Sequence, residues 1–535
     1  MNKRIAALLT ILFLTFSLLC YRIYLLSVQN IYSVNTENTL KSDTVSTTRG
    51  NVYDTNLRPL TNATENYVAF IKPTAKGILA AQALEKNELL YELEKGKLVA
   101  TPVPFSDFFE NSNDVLTIAT YERYSDNTLS HILGYCQNGK GMYGIEKHYD
   151  SLLNKTKGSI TVKYHCDALG RALNGEPTEI HNDNYNNPAG LVLTIDKNIQ
   201  RILEAALINN NTNVGCGIVL DVKTSEILAC ASVPVIDRKN LTQALTDENL
   251  PFINRAFSQY SVGSVFKVVT AAAALENGCE QLTYECNGSI TKSNNTFNCN
   301  KHTGHGKMNL ETALTFSCNP YFIELSCNVG AEKLLETSEC LGLGKRCDLG
   351  NGYVTDPGNL PKKEELNSDA AIGNIGFGQG QLLATPLQMA NCYAVIANNG
   401  IYNEPTLIKG YIDKNQKFSS GSKTPSKRVL KKETCETLKK YLLNVVTEGT
   451  GKPTFSSLFD SCGKTATAES GCFTKDGAEM KYSWYVGFFP YDEPEYVICI
   501  MKENGTSGGT DCAPTFKDVA ENIYIHNKTQ NVKNP

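Results

Sequence analysis

The chain of 535 residues is long enough for two to four folded units and at least one large hydrophobic core. Hydrophobic residues make up 41% and charged residues 20% of it, with 19 prolines, which excludes a collagen-like or disordered protein. The formal net charge is −4, and no Lys/Arg block is interleaved with aromatic residues. Nucleic acid is therefore excluded as an expected partner.

One apolar segment begins the chain. Lys3 and Arg4 precede a run over residues 5–26 in which Arg22 is the only charged residue. A cleaved signal peptide would end in small residues at a cleavage site, whereas aromatic and basic residues follow here, as at a membrane interface. We therefore predict a short cytoplasmic tail and an uncleaved membrane anchor over 1–27, with the remainder outside the cytoplasm.

The chain contains 18 cysteines, of which 17 follow the predicted anchor. Outside the cytoplasm, disulfides would be possible between Cys286 and Cys299 or between Cys340 and Cys347. The odd number leaves at least one thiol free. A fully reduced set, as in an anaerobic habitat, is the alternative that the sequence leaves open.

The pattern changes near residue 188. Residues 28–187 are polar with short apolar alternations, which predicts a small α+β pedestal. Beyond it, residues 191–195 indicate a strand, and Asp196 is the expected N-cap of an amphipathic helix that ends near Leu207. We place a domain boundary there and predict one large domain over 188–527, with a polar tail over 528–535.

Strand patterns flank a helical middle in the large domain. The expected elements are a hairpin over 216–231, helices from 264 to about 345 and from 384 to 398, strands over 483–489 and 496–501, and a helix over 513–525. This order predicts an α/β fold in which one sheet is built from sequence-distant strands, with helices on its faces.

Ser264-Val265-Phe266-Lys267 is the strongest local candidate for chemistry, because it follows Gly263 and opens an apolar helix pattern. Residues at i and i+3 share a helix face, so the Lys267 amine can reach the Ser264 hydroxyl. The first backbone N–H groups of the helix can bind a developing oxyanion. A desolvated lysine can lose its proton and act as a base. Alone, the pattern also fits an N-cap serine and a surface lysine.

Two further motifs follow in order. Ser317-Cys318-Asn319 lies about fifty residues downstream, and Lys464-Thr465-Ala466-Thr467 follows about a hundred and fifty residues later. The order and spacing match the motif series of penicillin-recognising serine enzymes. Individually, Ser317 and Asn319 also fit cap or turn residues, and Lys464 also fits a solvated edge strand.

The chain after the anchor resembles the class B penicillin-binding proteins, which are membrane-anchored serine D,D-transpeptidases of peptidoglycan. Residues 49–54 (RGNVYD) are similar to the N-terminal motif of that family, and residues 144–146 (GIE) to its pedestal signature. Residues 193–196, 376–380 and 385–390 match stretches of its transpeptidase domain. The resemblance implies one transmembrane helix, a small pedestal, and a β-lactamase/transpeptidase-like domain with a central, mainly antiparallel sheet flanked by helices.

Residue by residue, the resemblance implies that Ser264 attacks the penultimate D-Ala carbonyl of a stem peptide while Lys267 accepts its proton. D-Ala then leaves, and the amine of a second strand attacks the acyl-enzyme. Ser317 would relay a proton to the leaving group. Asn319 would orient Lys267 and the substrate amide.

The third motif would bind the terminal carboxylate through Lys464, Thr465 and Thr467. The backbone N–H groups of Ser264 and Thr467 would form the oxyanion hole. Lys464 close to Lys267 would disfavour two simultaneous positive charges and so keep one lysine available as a base. The reaction requires no cofactor or metal, and β-lactam antibiotics would acylate the same serine.

One position departs from the family pattern, because Ala466 stands where glycine is usual. Glycine lets a substrate backbone lie close to the strand, so the methyl group is expected to crowd the acyl pocket. This leaves a catalytically impaired wall-assembly scaffold as an alternative. A β-lactamase is a further alternative, against which the anchor and the long region before the catalytic domain argue.

Cys299-x-x-His302-x-x-His305 invites a zinc interpretation, but it has no clear fourth ligand at short range. We interpret it as a structural loop that leads to the second motif, and Trp484 as a residue of strand packing. The roughly 160 residues between the anchor and the catalytic domain leave no room for a glycosyltransferase domain. The resemblance therefore suggests a partner, a polytopic membrane glycosyltransferase of the shape, elongation, division and sporulation family.

Overall fold

The computed structural model describes residues 2–30, 40–173, 175–186, 189–421, 425–473 and 477–533. Its contacts divide the chain into two units. The first consists of Met1–Arg49, Asn62–Arg123 and Lys157–Pro188, and the second of Gly50–Thr61, Tyr124–Thr156 and Ala189–Pro535. Pro188, at the expected boundary, and the last two residues of the expected tail lie outside the described residues.

The segment expected to be one pedestal is therefore shared between the two units. Asn51–Tyr53 pairs in parallel with Gly190–Leu193, and the Gly50 N–H donates to the Leu153 carbonyl at 2.9 Å. These backbone bonds place both inserted segments in the second unit. Local sequence patterns do not show which distant strands pair. The sequence therefore did not indicate that residues 28–187 are divided between the two units.

The first unit contains the N-terminal helix and two small antiparallel sheets. Within the helix Asn2–Asn30, residues Ile5–Leu25 are long and apolar enough to cross a membrane, and no other helix of the described residues meets that test. The strands of one sheet, in spatial order, are Leu40–Thr48, Gly158–His165 and Glu179–Asp183. Those of the other are Val99–Val103, Thr64–Ile71 and Val115–Glu122. The two further helices are Ala75–Ala83 and Asn87–Glu94.

A five-stranded antiparallel sheet forms the centre of the second unit. Its strands, in spatial order, are Ile227–Val233, Gly215–Asp221, Tyr496–Glu503, Glu479–Phe489 and Cys462–Phe473. The first two form the predicted hairpin, and the other three come from the C-terminal part of the chain. The prediction of one sheet from sequence-distant strands is confirmed.

Alternate residues of these strands pack on opposite faces of the central sheet, as the twofold periodicity of a strand requires. Cys499 and Met501 belong to the larger core cluster, which includes the helix Pro386–Ala397. Ile498 and Ile500 belong to a second cluster with residues of the helices Lys197–Asn209 and Ala513–Lys533. Helices therefore cover both faces, and the α/β fold class is confirmed.

Shorter elements complete the second unit. The other helices and 3₁₀ turns are Ser130–Leu133, Gly144–His148, Asp150–Lys155, Leu241–Thr246, Arg255–Phe257, Gly263–Phe266, Lys267–Glu276, Leu310–Thr315, Asn319–Val329, Ala331–Cys340, Lys363–Glu365, Asp369–Gly376, Lys432–Thr447, Lys452–Thr454 and Gly508–Asp511. The other strands are Asn51–Tyr53, Cys136–Gln137, Lys140–Gly141, Gly190–Leu193, Tyr260–Ser261, Tyr284–Cys286, Ser289–Lys292, Asn295–Asn298, Gly306–Met308, Leu383–Ala384, Ile401–Tyr402, Ile408–Ile412, Phe418–Ser420 and Lys427–Arg428.

The residue predicted to cap a helix is found at the start of that helix. Asp196 accepts from the N–H groups of Asn198 and Ile199 at 2.7 and 3.3 Å, so the predicted N-cap is confirmed. The expected helical stretch from 264 to 345 is wrong in part, because two small two-stranded sheets interrupt it between residues 284 and 308. The C-terminal helix, expected over 513–525, extends further, over Ala513–Lys533.

Candidate active site

Ser264 lies in the short 3₁₀ turn Gly263–Phe266, which leads directly into the helix Lys267–Glu276. Gly263 has a φ of 60°, and its N–H donates to the Gly378 carbonyl at 2.8 Å. A Cβ on Gly378 would overlap the Gly263 carbonyl, so this close approach requires glycine. The loop around Gly378 therefore holds the nucleophile turn, which we define as residues 261–266. Ser264 itself is half-buried.

The Lys267 amine is fully buried and has three oxygen acceptors. Its Nζ donates to Asn319 Oδ1 at 2.6 Å, to the Ser317 carbonyl at 2.9 Å and to Ser317 Oγ at 3.2 Å. Burial lowers the pKa of Lys267 to about 7, because removal from water disfavours the charged form. The structure thus brings the first two motifs together around an amine that is neutral in a large fraction of molecules at neutral pH.

The second motif adopts an uncommon backbone conformation. Ser317 has a φ of 58°, which costs energy in a residue with a side chain. Cys318 follows as the N-cap residue of the helix Asn319–Val329. The side-chain nitrogen of Asn319, Nδ2, donates to the Asn298 carbonyl at 3.1 Å. This bond leaves Asn319 Oδ1 directed at the lysine, so the turn and the helix start aim two side chains at one amine.

Lys464 is equally buried, on the strand Cys462–Phe473 at the edge of the central sheet. Its Nζ donates to the Thr465 carbonyl at 3.0 Å. Burial holds the pKa of Lys464 well below its usual value, and the charge of Lys267 lowers it further. Among the described residues, no carboxylate is paired with either lysine. Charging both amines together is therefore costly.

The edge strand runs beside the nucleophile turn. Thr465 Oγ1 donates to Thr450 Oγ1 at 2.8 Å. A Cβ on Gly263 would lie 3.2 Å from the Thr467 carbonyl, and Thr467 is half-buried. The structure therefore places all three sequence motifs at one position, where the nucleophile turn, the Ser317 turn and the edge strand meet.

The side chain of Ala466 is not exposed where the three motifs meet. Its side chain is 3% exposed and belongs to the larger core cluster, as does Trp484, its neighbour on the next strand. Strand alternation places Lys464 on the same face as Ala466, and Thr465 and Thr467 on the other. Because the methyl group is packed in the core, crowding of the acyl pocket is not supported. The sequence showed the departure from glycine but not the face on which the methyl group lies.

Three cysteines and a histidine converge beside the second motif. The sequence did not indicate this group of four. The Sγ atoms of Cys286, Cys299 and Cys318 and a ring nitrogen of His305 lie within 4.8 Å of one another. His305 Nδ1 is 3.3 Å from Cys299 Sγ and 3.8 Å from Cys286 Sγ. Three thiols and one imidazole match the ligand types and number of a structural zinc site. We call this group the Cys₃His cluster.

The fourth ligand was sought only at short range, whereas the members of the cluster span residues 286–318, and His302 is not among them. Cys286 precedes Cys299 by thirteen residues, and Cys318 follows His305 by thirteen. Pairing of Tyr284–Cys286 with Gly306–Met308 brings the first thiol to the histidine. The suggested disulfide between Cys286 and Cys299 is not formed, and neither is that between Cys340 and Cys347. The equal spacing was the signal that could have indicated the cluster.

Penicillin-recognising serine enzymes are defined by three features, all of which are present here. These are a serine and a lysine at the start of one helix, a Ser-x-Asn turn, and a lysine on an edge strand. The family model described as penicillin binding protein transpeptidase domain matches residues 215–521, more than half of the chain. The chain belongs to this family, as a class B penicillin-binding protein. The apolar helix Ile5–Leu25 agrees with a membrane protein.

Relatives and solved structures agree with this membership. Stage V sporulation protein D of Bacillus subtilis is 30% identical over 419 residues, which cover 73% of this chain and 62% of the relative. The chain thus spans about three fifths of that protein. Peptidoglycan D,D-transpeptidase FtsI of Buchnera aphidicola is 26% identical, over 100% of this chain and 97% of the relative. A chain of a peptidoglycan synthase complex that coordinates polymerization and crosslinking superposes with a TM-score of 0.68 at 25% identity, covering 97% of both chains.

Replacing Ala466 with glycine should lower stability without accelerating acylation. Glycine within a strand costs about 0.5 to 1 kcal/mol relative to alanine, and the lost methyl group belongs to the core. Urea unfolding and labelling by a fluorescent penicillin measure the two effects. Ala468→Gly is the matched control, because Ala468 is fully buried on the same strand. Faster acylation in Ala466→Gly alone would restore the crowding argument.

The Cys₃His cluster predicts that purified protein retains about one equivalent of zinc per chain, measured by mass spectrometry of the metal. Cys286→Ser and His305→Ala should lose the zinc and lower the unfolding temperature, because a structural metal stabilises only the folded state. Cys327→Ser is the control, since its thiol lies on the adjacent helix outside the cluster. Full zinc content in both cluster variants would contradict the assignment.

Proposed function

We propose that this protein is a peptidoglycan D,D-transpeptidase that cross-links stem peptides through a serine acyl-enzyme. The observation that carries the proposal is the buried Lys267 amine, with a pKa of about 7, at the head of the helix that follows Ser264. A serine hydroxyl is a weak nucleophile and needs a base whose pKa lies near the working pH. Membership of the transpeptidase family supports the same reaction.

In the acylation step, Ser264 Oγ attacks the carbonyl carbon of the penultimate D-Ala. Lys267 Nζ accepts the hydroxyl proton, and the N–H groups of Ser264 and Thr467 bind the oxyanion. Collapse of the tetrahedral intermediate breaks the amide bond. The Lys267 proton passes through the Ser317 hydroxyl, which lies 3.2 Å away, to the nitrogen of the departing D-Ala. Asn319 orients the amine throughout.

In the transfer step, the amine of a second stem peptide attacks the ester carbonyl. Lys267, neutral again, accepts a proton from this amine and passes it to Ser264 Oγ, so that Ser264 leaves as the alcohol. One amide bond is broken and one is formed over the cycle. The reaction therefore needs no nucleotide and no redox cofactor.

Lys464 gives a physical reason for carboxylate recognition. A buried amine without a counter-ion becomes fully protonated when an anion enters its site, because an opposite charge favours the charged form. The terminal carboxylate of a stem peptide would supply that anion, and the hydroxyls of Thr465 and Thr467 would donate to it. β-Lactams carry a carboxylate and a reactive amide, so they would enter the same site. The buried side chain of Ala466 gives no support to the alternative of an impaired scaffold.

We further propose that the helix Ile5–Leu25 is a single-pass anchor and that the second unit lies outside the cytoplasm. Lys3 and Arg4 ahead of the helix support this orientation, since basic residues remain on the cytoplasmic side. Glycan polymerisation would come from a membrane glycosyltransferase of the shape, elongation, division and sporulation family. The similar chain from a peptidoglycan synthase complex supports such an assembly.

Ser264→Ala should abolish covalent labelling by a fluorescent penicillin and cross-linking of a D-Ala-D-Ala substrate, because the ester forms on the Ser264 hydroxyl. The exposed Ser420 offers the control variant Ser420→Ala, which should be labelled normally. Labelling of the unaltered protein should be stoichiometric and persist for many minutes. Rapid turnover of penicillin would instead indicate a β-lactamase, and labelling of Ser264→Ala would overturn the assigned nucleophile.

The acylation rate should rise with pH through a midpoint near 7. Below the pKa of about 7 the protonated Lys267 cannot accept the serine proton, so the rate falls about tenfold per pH unit. Asn319→Ala removes an oxygen that stabilises the ammonium form, and should move the midpoint to lower pH while also slowing the reaction. Penicillin acylation measured between about pH 5 and 9 checks both statements. A flat profile would exclude Lys267 as the base.

A further inference from the structure

Two fully buried aromatic side chains hold the backbone of the nucleophile turn from the core side. Trp484 Nε1 donates to the Ser261 carbonyl at 3.1 Å, and the Tyr393 hydroxyl donates to the Val265 carbonyl at 3.0 Å. Neither side chain is exposed to solvent. One acceptor lies three residues before Ser264 and the other one residue after it.

The three tethers of the turn alternate along the chain. The Ser261 carbonyl is held by Trp484, the Gly263 N–H by the Gly378 carbonyl, and the Val265 carbonyl by Tyr393. Each tether comes from a different element. None of these three tethers uses a backbone or side-chain group of Ser264.

The two aromatic residues stand on rigid supports. Tyr393 belongs to the helix Pro386–Ala397, in which every residue is buried. Trp484 lies on the strand Glu479–Phe489, which is hydrogen-bonded to a neighbour on each side. A buried phenol or indole needs an acceptor in any case. The location of these acceptors, on both sides of the nucleophile, gives the bonds a consequence beyond satisfying the donors.

We propose that Tyr393 and Trp484 are positioning residues of the transpeptidase, which fix the nucleophile turn so that Ser264 Oγ stays within reach of Lys267 and of the oxyanion N–H groups. This inference rests on the proposed function. A displacement of about 1 Å at a reacting centre can slow a reaction by about a hundredfold. Loss of either donor should therefore slow acylation and leave initial binding of the β-lactam unchanged, because the residues that would bind its carboxylate lie on the edge strand.

Tyr393→Phe is the sharpest variant, because it removes one hydroxyl and keeps the ring. Trp484 is the only tryptophan of the chain, so growth on benzothienylalanine would replace its N–H with sulfur at this position alone. Tyr149→Phe is the matched control. Tyr149 is buried in the same unit, and its hydroxyl donates to the Gly350 carbonyl, outside the nucleophile turn, at 2.9 Å.

Rapid-mixing kinetics with a fluorescent penicillin at saturating concentrations separate the acylation rate constant from the dissociation constant of the first complex. We expect the rate constant to fall about tenfold to a hundredfold in Tyr393→Phe and in the benzothienylalanine protein. The dissociation constant should stay within about twofold of the unaltered protein in both. Tyr149→Phe should keep both constants, even where its unfolding temperature falls as far as that of Tyr393→Phe.

Unchanged acylation in both tether variants would overturn the inference. Equal slowing in Tyr149→Phe would also overturn it, because the effect would then follow general stability. If Tyr393→Phe misfolds, the acylation rate constant of the benzothienylalanine protein alone tests the inference. Failure of the proposed function is seen separately, as an unaltered protein that penicillin does not acylate at Ser264.

Discussion

The site depends on the burial of two lysine amines that have no paired carboxylate within the described part of the chain. Removal of an ammonium group from water costs more free energy than its hydrogen bonds return, so the charged form is disfavoured. Lys267 receives three oxygen acceptors, and Lys464 receives one carbonyl. Oxygen dipoles stabilise an ammonium less than a carboxylate would. The low pKa that a base needs at neutral pH is thus a property of the fold around these residues.

The surroundings of the second motif are built to hold an unfavourable geometry. The left-handed conformation of Ser317 persists only where neighbouring structure determines it. The helix that starts at Asn319 fixes one side, and Cys318, a member of the Cys₃His cluster, lies between the two functional residues. A ligand to zinc at this position would fix the backbone of the motif directly. The nucleophile turn is held differently, by three hydrogen bonds from separate elements.

Sequence patterns predicted what neighbouring residues determine. The Ser264 and Lys267 pair, the N-cap at Asp196 and the hairpin of the central sheet all follow from local spacing. The direction of the Ala466 methyl group and the ligands of the Cys₃His cluster did not follow, because strand pairing over long distances sets them. The tether from Tyr393 was equally invisible, since 128 residues separate it from its acceptor. The motifs therefore identified the chemistry, whereas tertiary pairing supplied its geometry.

The edge position of the strand Cys462–Phe473 explains how one element can serve binding and catalysis. An edge strand has backbone groups that no neighbouring strand pairs, and an extended peptide can bind to such groups as an additional strand. A stem peptide bound in this way would run past the nucleophile turn, with its carboxylate toward Thr465 and its carbonyl toward the Thr467 N–H. The backbone of residue 466, and not its side chain, would then face the substrate. Alanine is compatible with such binding because its methyl group lies in the core.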